Sequence, residues 1–216
     1  MIEVKEVTKS YGDITPIENV NLQIEEGEFI SIIGPSGSGK TTLLNVAAGL
    51  LTPTQGEVII NGISLYKLNQ RQRVVFRRKN FGFVFQAFNL ISYLTAIENI
   101  EVPLYLAGIK EKKQEYLANE LLERVGLKDK GNRFPAQLST GEQQRVAIAR
   151  ALANNPRVIF ADEPTGNLDI KTGKEVICYM KELNERGVTI LLVTHDSEMA
   201  NLAQKKIKLV DGRLLS

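Results

Sequence analysis

The sequence predicts an α/β fold with a mainly parallel sheet, an antiparallel β layer at the N terminus and a helical subdomain. Three observations support this prediction. Apolar, β-branched runs alternate with helical patterns along the chain, residues 2–24 contain period-two alternation, and a largely helical pattern fills residues 87–155. A length of 216 residues fits one domain over 1–216 that includes this helical subdomain.

Composition limits the possible functions. The hydrophobic fraction of 43% and the charged fraction of 24% are typical of a soluble globular protein. A net charge of +2 gives no electrostatic reason to expect a nucleic-acid partner. The first five residues do not form a signal peptide, and no apolar run approaches the roughly 20 residues that span a bilayer. We therefore expect a soluble protein that reaches a membrane only through a partner.

The chain begins with strands. Residues 2–7 and 20–24 alternate apolar and polar side chains, which predicts two antiparallel strands, and residues 9–13 are predicted to form the turn between them. A third strand is predicted at residues 28–33, and a leucine- and alanine-rich helix at residues 41–48. Further on, residues 57–62 predict a short strand that ends in an Asn-Gly turn.

A glycine-rich stretch connects the strand at 28–33 to the following helix. Residues 34–41 read Gly-Pro-Ser-Gly-Ser-Gly-Lys-Thr and fit the phosphate-loop pattern G-x-x-x-x-G-K-[ST] at every fixed position. Backbone N–H groups of such a loop surround phosphate oxygens, and the helix N terminus adds its positive dipole end. Lys40 can reach the β- and γ-phosphates, and the Thr41 hydroxyl can ligate Mg²⁺. The sequence therefore predicts a nucleoside triphosphate site that contains Gly34, Pro35, Ser36, Gly37, Ser38, Gly39, Lys40, Thr41 and Thr42.

The middle of the chain is predicted to be largely helical. Residues 67–80, rich in Arg, Lys and Gln, predict an exposed helix that leads into a strand at 81–86. From residue 87 to about 126 the pattern is helical, with Pro103 and Gly108 as breakers. Ser139 is then placed to cap a helix that continues through Ala153.

The C-terminal part returns to alternating strands and helices. Residues 157–161 and 187–194 predict buried strands on either side of a helix at 173–185, and residues 206–214 predict a closing hairpin around an Asp-Gly turn. Cys178, on that helix, is the single cysteine, which excludes an internal disulfide and fits a reducing compartment. We expect its side chain to be a small buried apolar group.

Two carboxylates and the only histidine follow these C-terminal strands. Asp162, at the end of the strand that begins at residue 157, can hold Mg²⁺ through water opposite Thr41. Glu163 can orient and deprotonate a water for in-line attack on the γ-phosphate. His195 follows the strand at 187–194. Because the carboxyl ends of parallel strands share one edge of a sheet, we expect these side chains to meet the phosphate loop.

These motifs, in this order, resemble the ATP-binding-cassette (ABC) family of transporter ATPases over essentially all 216 residues. The resemblance implies the P-loop NTPase core of ABC ATPases, with ATP and Mg²⁺ as ligands and hydrolysis to ADP and phosphate. It assigns Tyr11 to stacking on adenine, Gln86 to Mg²⁺, the attacking water and sensing of the membrane partner, and His195 to the γ-phosphate. Residues 138–142, Leu-Ser-Thr-Gly-Glu, occupy the place of the family signature, usually Leu-Ser-Gly-Gly-Gln. Asp169 matches the aspartate that crosses the dimer interface.

The same resemblance implies a composite site. Two copies would pair head to tail, so that Ser139 and Gly141 of one chain cover the γ-phosphate held by Lys40 of the other. ATP binding would close the dimer, and hydrolysis would release it. Thr140 and Glu142 depart from the usual signature, because Thr140 adds a Cβ near the interface and Glu142 adds a negative charge. The family further implies an integral membrane transporter subunit as partner, and hence a cytoplasmic protein that is peripheral on the inner face of the cell membrane.

Residues 85–104 indicate a branch of the family. They resemble the branch of lipoprotein-release, macrolide-export, cell-division and antimicrobial-peptide-resistance ATPases, in which this region receives the coupling helix of the membrane subunit. We therefore expect a subunit that drives export, lipoprotein release or mechanotransmission. Because the chain stops at Ser216, just after the closing hairpin, we expect no fused membrane or regulatory domain.

Two other functions fit a nucleotide site. A soluble, non-transport ABC ATPase of DNA repair or translation would carry a long coiled-coil insertion or two cassettes in one chain, and this sequence has neither. A nucleotide-binding regulator that does not hydrolyse would tolerate loss of the base, whereas Lys40, Asp162, Glu163 and His195 are all present. The transport ATPase is therefore the favoured hypothesis.

Overall fold

The structure is a computed structural model that describes residues 1–215. Within this range, ten strands and seven α-helices follow one another along the chain. The first eleven elements are β1 (Ile2–Tyr11), β2 (Ile14–Ile24), β3 (Phe29–Ile33), α1 (Lys40–Ala47), β4 (Gln55–Ile60), β5 (Ile63–Ser64), α2 (Gln70–Asn80), β6 (Phe81–Phe85), α3 (Ala96–Leu106), α4 (Glu111–Arg124) and α5 (Thr140–Leu152). The remaining six are β7 (Val158–Asp162), α6 (Ile170–Glu185), β8 (Thr189–Thr194), α7 (Ser197–Ala200), β9 (Lys205–Val210) and β10 (Arg213–Leu215). None of the helices in this range combines the length and the apolarity that crossing a membrane requires.

The N-terminal strands form a separate antiparallel sheet, as predicted. Its strand order is β2-β1-β4-β5. The period-two pattern places Ile2, Val4 and Val7 in the core. The predicted turn at residues 9–13 is shorter than expected, because β1 continues to Tyr11, which pairs with Ile14 of β2.

The predicted Asn-Gly and Asp-Gly turns are both present, and each joins two antiparallel strands. Asn61 and Gly62, with φ of 49° and 77°, join β4 to β5. Asp211 and Gly212, with φ of 45° and 76°, join β9 to β10. Positive φ at both central residues matches the right-handed twist of the flanking strands, which is why Asn-Gly and Asp-Gly are favoured there.

The second sheet is mainly parallel, as predicted, with the order β10-β9-β3-β8-β7-β6. Only β10 runs antiparallel to its neighbour. The register aligns the carboxyl ends of four strands. Ile33 of β3 is opposite Thr194 of β8, Val193 of β8 is opposite Asp162 of β7, and Asp162 is opposite Phe85 of β6. The residues that follow these strands therefore share one edge of the sheet.

Helices α3, α4 and α5 pack around a core that includes Ile100, Leu122 and Val146. Two details of the predicted helical stretch are wrong. The helix starts at Ala96 rather than at residue 87, because residues 88 and 89 have positive φ and Thr95 provides a cap. Pro103 lies inside α3 rather than breaking it.

The position of Pro103 has a physical reason. A proline inside a helix removes one hydrogen bond, which destabilises the helix by about 3 kcal/mol. Ile100 and Leu104, on either side of it in α3, are buried, and this packing offsets the loss. Gly108, with φ of 78°, lies between α3 and α4 as predicted. One domain over 1–216, with 87–155 as its helical subdomain, stays a prediction.

The side-chain exposure predicted from the sequence is correct for α2 and wrong for one residue of α6. No residue of α2 is buried, as expected, although the helix begins at Gln70 rather than at residue 67. In α6 the prediction for Cys178 is wrong, because this side chain is exposed. The buried face of α6 passes through Val176, Ile177 and Met180, and Cys178 lies outside that helical stripe.

Candidate functional site

A cavity of 550 Å³ opens at the shared carboxyl edge of β3, β6, β7 and β8. Its lining combines the phosphate loop with three predicted site residues that are distant in sequence. The lining residues are Pro16, Ser36, Gly37, Gly39, Lys40, Thr41, Thr42, Gln86, Glu163 and His195. The alignment of the strand ends thus brings most of the predicted site into one place.

The phosphate loop is packed so tightly that two of its glycines are required. Gly39 has a φ of 98°, and a Cβ there would lie 2.1 Å from the carbonyl oxygen of Pro16. A Cβ at Gly34 would lie 2.1 Å from the carbonyl oxygen of Leu209. Any side chain at either position would clash with backbone, so glycine is needed for the loop to keep this shape.

Lys40 starts α1 with its ammonium group folded back over the loop. Its Nζ donates hydrogen bonds to the carbonyl oxygens of Gly34 at 2.8 Å and Pro35 at 2.9 Å. The side chain is buried, and no ion pair within residues 1–215 includes it. The N terminus of α1 also lacks a side-chain cap. A buried cation beside free helix N–H groups favours an anionic ligand.

One buried polar atom of the loop points to the same conclusion. Ser38 is 4% exposed, and its Oγ has no hydrogen-bond partner among the residues that the structure describes. Buried hydroxyls are normally paired, so an unpaired one beside Lys40 is consistent with a ligand rich in acceptor oxygens. The loop therefore fits the phosphates of a nucleotide.

Thr41 and Asp162, the two side chains predicted to face each other across Mg²⁺, are in direct contact. The Thr41 hydroxyl donates to Asp162 Oδ1 at 3.0 Å. Burial raises the pKa of Asp162, and the neighbouring Glu163 carboxylate raises it further. Residues 1–215 hold no cluster of three or more His, Cys, Asp or Glu side chains suited to a metal. Mg²⁺ does not need one, because it takes oxygen ligands and keeps several from water and substrate phosphates. The donor set therefore fits Mg²⁺.

Glu163 and His195 are held together directly above the sheet edge. Glu163 has a φ of 46°, and its N–H donates to the carbonyl oxygen of Val193 at 2.9 Å. Its Oε2 lies 3.0 Å from Nδ1 of His195 and accepts the hydroxyl hydrogen of Thr194 at 3.0 Å. A left-handed conformation at a glutamate is uncommon and marks a position that the surroundings enforce. Thr194 was not among the residues predicted from the sequence. Its position at the end of β8, next to His195, would have indicated that it lies at this edge of the sheet.

Gln86 is placed by the segment that follows Glu163. Its backbone carbonyl accepts a hydrogen bond from the Asn167 side chain at 2.9 Å. A Cβ at Gly166 would lie 2.7 Å from Gln86 Nε2, so this glycine makes room for the amide. The contact connects the end of β6 to the loop that leads into α6.

Eight predicted site residues are absent from the cavity lining. Gly34, Pro35 and Ser38 belong to the phosphate loop and Asp162 contacts Thr41, so these four adjoin the lining. The other four are Tyr11, Ser139, Gly141 and Asp169. Tyr11 is half exposed, with the Lys9 ammonium 4.8 Å from its ring centroid. Ser139 caps α5, where its Oγ accepts from the N–H of Glu142 at 3.2 Å. Gly141 and Asp169 complete this group.

Gly141 and Asp169 meet at one threonine. Asp169 caps α6 by accepting hydrogen bonds from the N–H and the hydroxyl of Thr172, and these bonds lower the pKa of its carboxyl. A Cβ at Gly141 would lie 2.5 Å from Thr172 Cγ2. The start of α5 therefore packs against the start of α6, outside the cavity that contains the phosphate loop.

Comparison with known proteins places these motifs in a family. The sequence profile of the family described as ABC transporter matches residues 17–166. An ABC transporter ATP-binding protein of Methanocaldococcus jannaschii is 53% identical over 100% of this chain and 98% of its own length. The macrolide export ATP-binding/permease protein MacB of Vibrio parahaemolyticus is 44% identical over 100% of this chain, which spans only 34% of MacB.

A solved structure agrees with the fold over the whole chain. It is the ATP-binding cassette MJ0796, described as a dimeric post-hydrolysis state bound to ADP and Pi. The two chains superpose with a TM-score of 0.93 at 47% identity, over 100% of this chain and 97% of that one. A second dimeric structure of MJ0796 gives the same TM-score at 48% identity.

Proposed function

Since this chain belongs to the ABC transporter family and is an ATP-binding, ATP-hydrolysing component of that family, we propose that two copies close around two ATP molecules and drive a membrane partner. The partner's task is export, lipoprotein release or mechanotransmission. The likeness to MacB, a macrolide export protein, supports this choice. Such a subunit is cytoplasmic and peripheral on the inner face of the cell membrane through its partner.

The observation that carries the proposal is the convergence of Lys40, Gln86, Glu163 and His195 on one cavity. Lys40 and the uncapped N terminus of α1 neutralise the phosphate charge as it shifts during transfer. Thr41, which contacts Asp162, would hold Mg²⁺ together with Asp162 and Gln86. A bound Mg²⁺ would offset the negative charge of the phosphates.

Glu163 acts as the general base in this proposal. Its carboxylate lines the cavity, and its position is fixed by contacts with β8. It takes a proton from the water that attacks the γ-phosphate, while His195 contacts that phosphate from the same edge. Gln86 orients the water and responds to the membrane partner through its link to Asn167.

The second half of each site comes from the other copy. Ser139 and Gly141 begin a helix whose N terminus lies on the surface, outside the cavity of its own chain. Helix N termini bind phosphate through N–H groups and the dipole, so this end suits the γ-phosphate of a facing chain. Asp169, exposed beside it, crosses the interface, and Tyr11 stacks on adenine. The dimers of MJ0796 support this arrangement.

The membrane partner docks in a groove between α2, β6, α3 and α5. The groove has a volume of 430 Å³ and a mixed lining of apolar and basic side chains, among them Val74, Phe83, Leu106, Arg78 and Arg150. An apolar groove with basic sides is suited to a helix of the partner that carries apolar and acidic residues. It includes Phe85 and Pro103, within the segment that resembles the branch of force-transmitting ATPases.

Replacing Glu163 by Gln tests the hydrolytic part of the proposal. Glutamine keeps the shape but cannot accept the proton, so turnover falls by at least about 100-fold while ATP affinity stays within about threefold. Gel filtration with ATP should then show a trapped dimer. A Glu185→Gln variant, changed at an exposed position on α6, serves as control and should keep full activity. Rapid turnover of Glu163→Gln would remove Glu163 from the role of base.

Replacing Leu106 by Asp tests the docking groove. Leu106 is 56% exposed and lines the groove, so the added charge should disrupt co-purification with the membrane subunit and leave ATP binding unchanged. Leu215, which is 48% exposed on β10, provides the matched control as Leu215→Asp. Equal recovery of the membrane subunit with both variants would contradict the assignment of the groove.

A further inference from the structure

The two carboxylate oxygens of Glu163 have different surroundings. Oε2 accepts hydrogen bonds from the Thr194 hydroxyl at 3.0 Å and from the His195 N–H at 3.2 Å, and it lies 3.0 Å from His195 Nδ1. Oε1 takes part in no hydrogen bond with the residues of 1–215. Since the side chain lines the cavity, Oε1 is the oxygen that remains available to a water there.

The hydroxyl of Thr194 can donate in only one direction. Its Oγ1 accepts the N–H of Asp196 at 3.0 Å, and the residue is 1% exposed, so no bulk water competes for it. A hydroxyl carries a single hydrogen, and here the only acceptor that the hydrogen-bond pattern gives it within residues 1–215 is Glu163 Oε2. The Thr194 hydroxyl therefore holds one oxygen of Glu163 in place from a rigid strand.

We propose that Thr194 is a positioning residue for ATP hydrolysis. Its hydrogen bond to Oε2 of Glu163 leaves Oε1 as the oxygen that accepts the proton. This inference rests on the proposed role of Glu163 as general base. As the water oxygen bonds to the γ-phosphorus, its O–H bond breaks and the proton moves to Oε1. The bond from the γ-phosphorus to the bridging oxygen breaks, and that electron pair stays on ADP. Products are ADP and phosphate, with the proton released from Oε1 to solvent.

Strand β8 supplies a matched control at its other end. Thr189 is 3% exposed, and its Oγ1 accepts the N–H of Gly27 at 2.9 Å. Thr189 and Thr194 are thus both buried threonines of one strand that accept a backbone N–H. Thr194 also contacts Glu163, whereas Thr189 lies at the opposite end of the strand. Valine at either position removes the hydroxyl and keeps the shape of the side chain.

Steady-state ATPase kinetics, ATP binding and thermal melting of Thr194→Val, Thr194→Ser and Thr189→Val test the proposal. Thr194→Val should lower kcat by about tenfold, because the base is less well oriented, with KM for ATP changed by less than about twofold. Thr194→Ser retains the hydroxyl and should stay within about twofold of the original kcat. Thr189→Val should lower the melting temperature by a similar amount and leave kcat unchanged. An unchanged kcat in Thr194→Val, or an equal loss in Thr189→Val, would overturn the proposal.

A double variant separates this inference from the role of Glu163. In a Glu163→Gln background, Thr194→Val should cause no further loss of the residual rate, because the two residues act as one unit. A further tenfold loss would mean that Thr194 acts independently of Glu163, and would overturn the inference. If Glu163→Gln is inactive while Thr194→Val is fully active, only the positioning role fails. If Glu163→Gln keeps full turnover, the assigned base itself fails.

Discussion

The two helix N termini that are proposed to hold one phosphate, those of α1 and α5, differ in how their N–H groups are satisfied. Helix α1 begins after Gly39 with no side-chain cap and no acidic residue in its first turn. Helix α5 begins with a full capping box, in which Ser139 and Glu142 bond each other's backbone N–H. The first end is open to an anion, and the second already has partners of its own.

This difference suggests that ATP binds to one chain before two chains pair. The phosphate loop has a buried ammonium and free N–H groups, so it can bind a nucleotide within one chain. The start of α5 carries the negative charge of Glu142, whose pKa is lowered chiefly by the bond from the Ser139 N–H. Because such an end gains less from a phosphate, we expect ATP-dependent dimerisation to be weaker than ATP binding and readily reversed.

Lys40→Ala should produce the largest effect, because it removes the buried cation from the half that binds ATP alone. We expect the dissociation constant for ATP to rise by at least about 100-fold, the size of a lost charge-assisted contact. Isothermal titration calorimetry measures it directly. Thermal melting without nucleotide checks that the variant folds. Unchanged ATP affinity would contradict the assignment of the phosphate loop.

Mixing two inactive variants tests whether the halves come from different chains. Lys40→Ala damages the phosphate loop, and Ser139→Arg damages the start of α5. A mixed dimer of the two regains one intact composite site, so an equal mixture should recover up to about a quarter of the original ATPase rate if the dimers form at random.

The cap on α3 provides the control for that experiment. Thr95 and Glu98 form a capping box at the start of α3, like that of Ser139 and Glu142 at the start of α5. Thr95→Arg removes this cap, which should lower the stability by about 1 kcal/mol and leave the ATP site intact. Thr95→Arg alone should therefore stay active. A mixture as inactive as its two components, despite demonstrated subunit exchange, would exclude the head-to-tail arrangement.

Much of the fold could be predicted because its signals are local. The alternation of β1, the glycine pattern of residues 34–39 and the cap at Ser139 each depend on a few neighbouring residues. Because parallel strands end at one edge of a sheet, the sequence also predicted that Asp162, Glu163 and His195 lie near the loop.

The features that sequence patterns missed depend on contacts between distant segments. Pro103 is tolerated within α3 because the helix buries its apolar face, and Cys178 is exposed because of the rotation of α6. The hydrogen bond from Thr194 to Glu163 depends on the register between β7 and β8. No local pattern encodes such a register, which follows from how whole strands pack.

Glu142→Gln should have the smallest effect, and it tests the charge on the second half. Glutamine can keep the capping box but carries no charge. Without that charge near the partner's phosphate, ATP-dependent dimerisation should tighten by about two- to threefold, since water screens most of the repulsion. Analytical ultracentrifugation with ATP in a Glu163→Gln background measures the change. Glu98→Gln, which alters the matching cap on α3, should leave dimerisation unchanged.

Both cap variants should share one pH signature. The pKa values of Glu142 and Glu98 lie below the ordinary 4.5 because backbone N–H groups of Ser139 and Thr95 bond their charged forms. A lowered pKa adds stability above 4.5 that is lost as the pH falls through the folded-state value. Glu98 is exposed, and Glu142 is a half-buried surface side chain whose Oε1 lies 3.4 Å from Lys130 Nζ. Water screens both charges in part, so the original chain should melt only about 1 °C above either variant at pH 7, and the gap should close below about pH 4. If Glu142→Gln and Glu98→Gln match in melting yet only the former tightens the dimer, the charge at α5 acts on the partner chain. Equal tightening by both variants would show that the start of α5 has no special place in the interface.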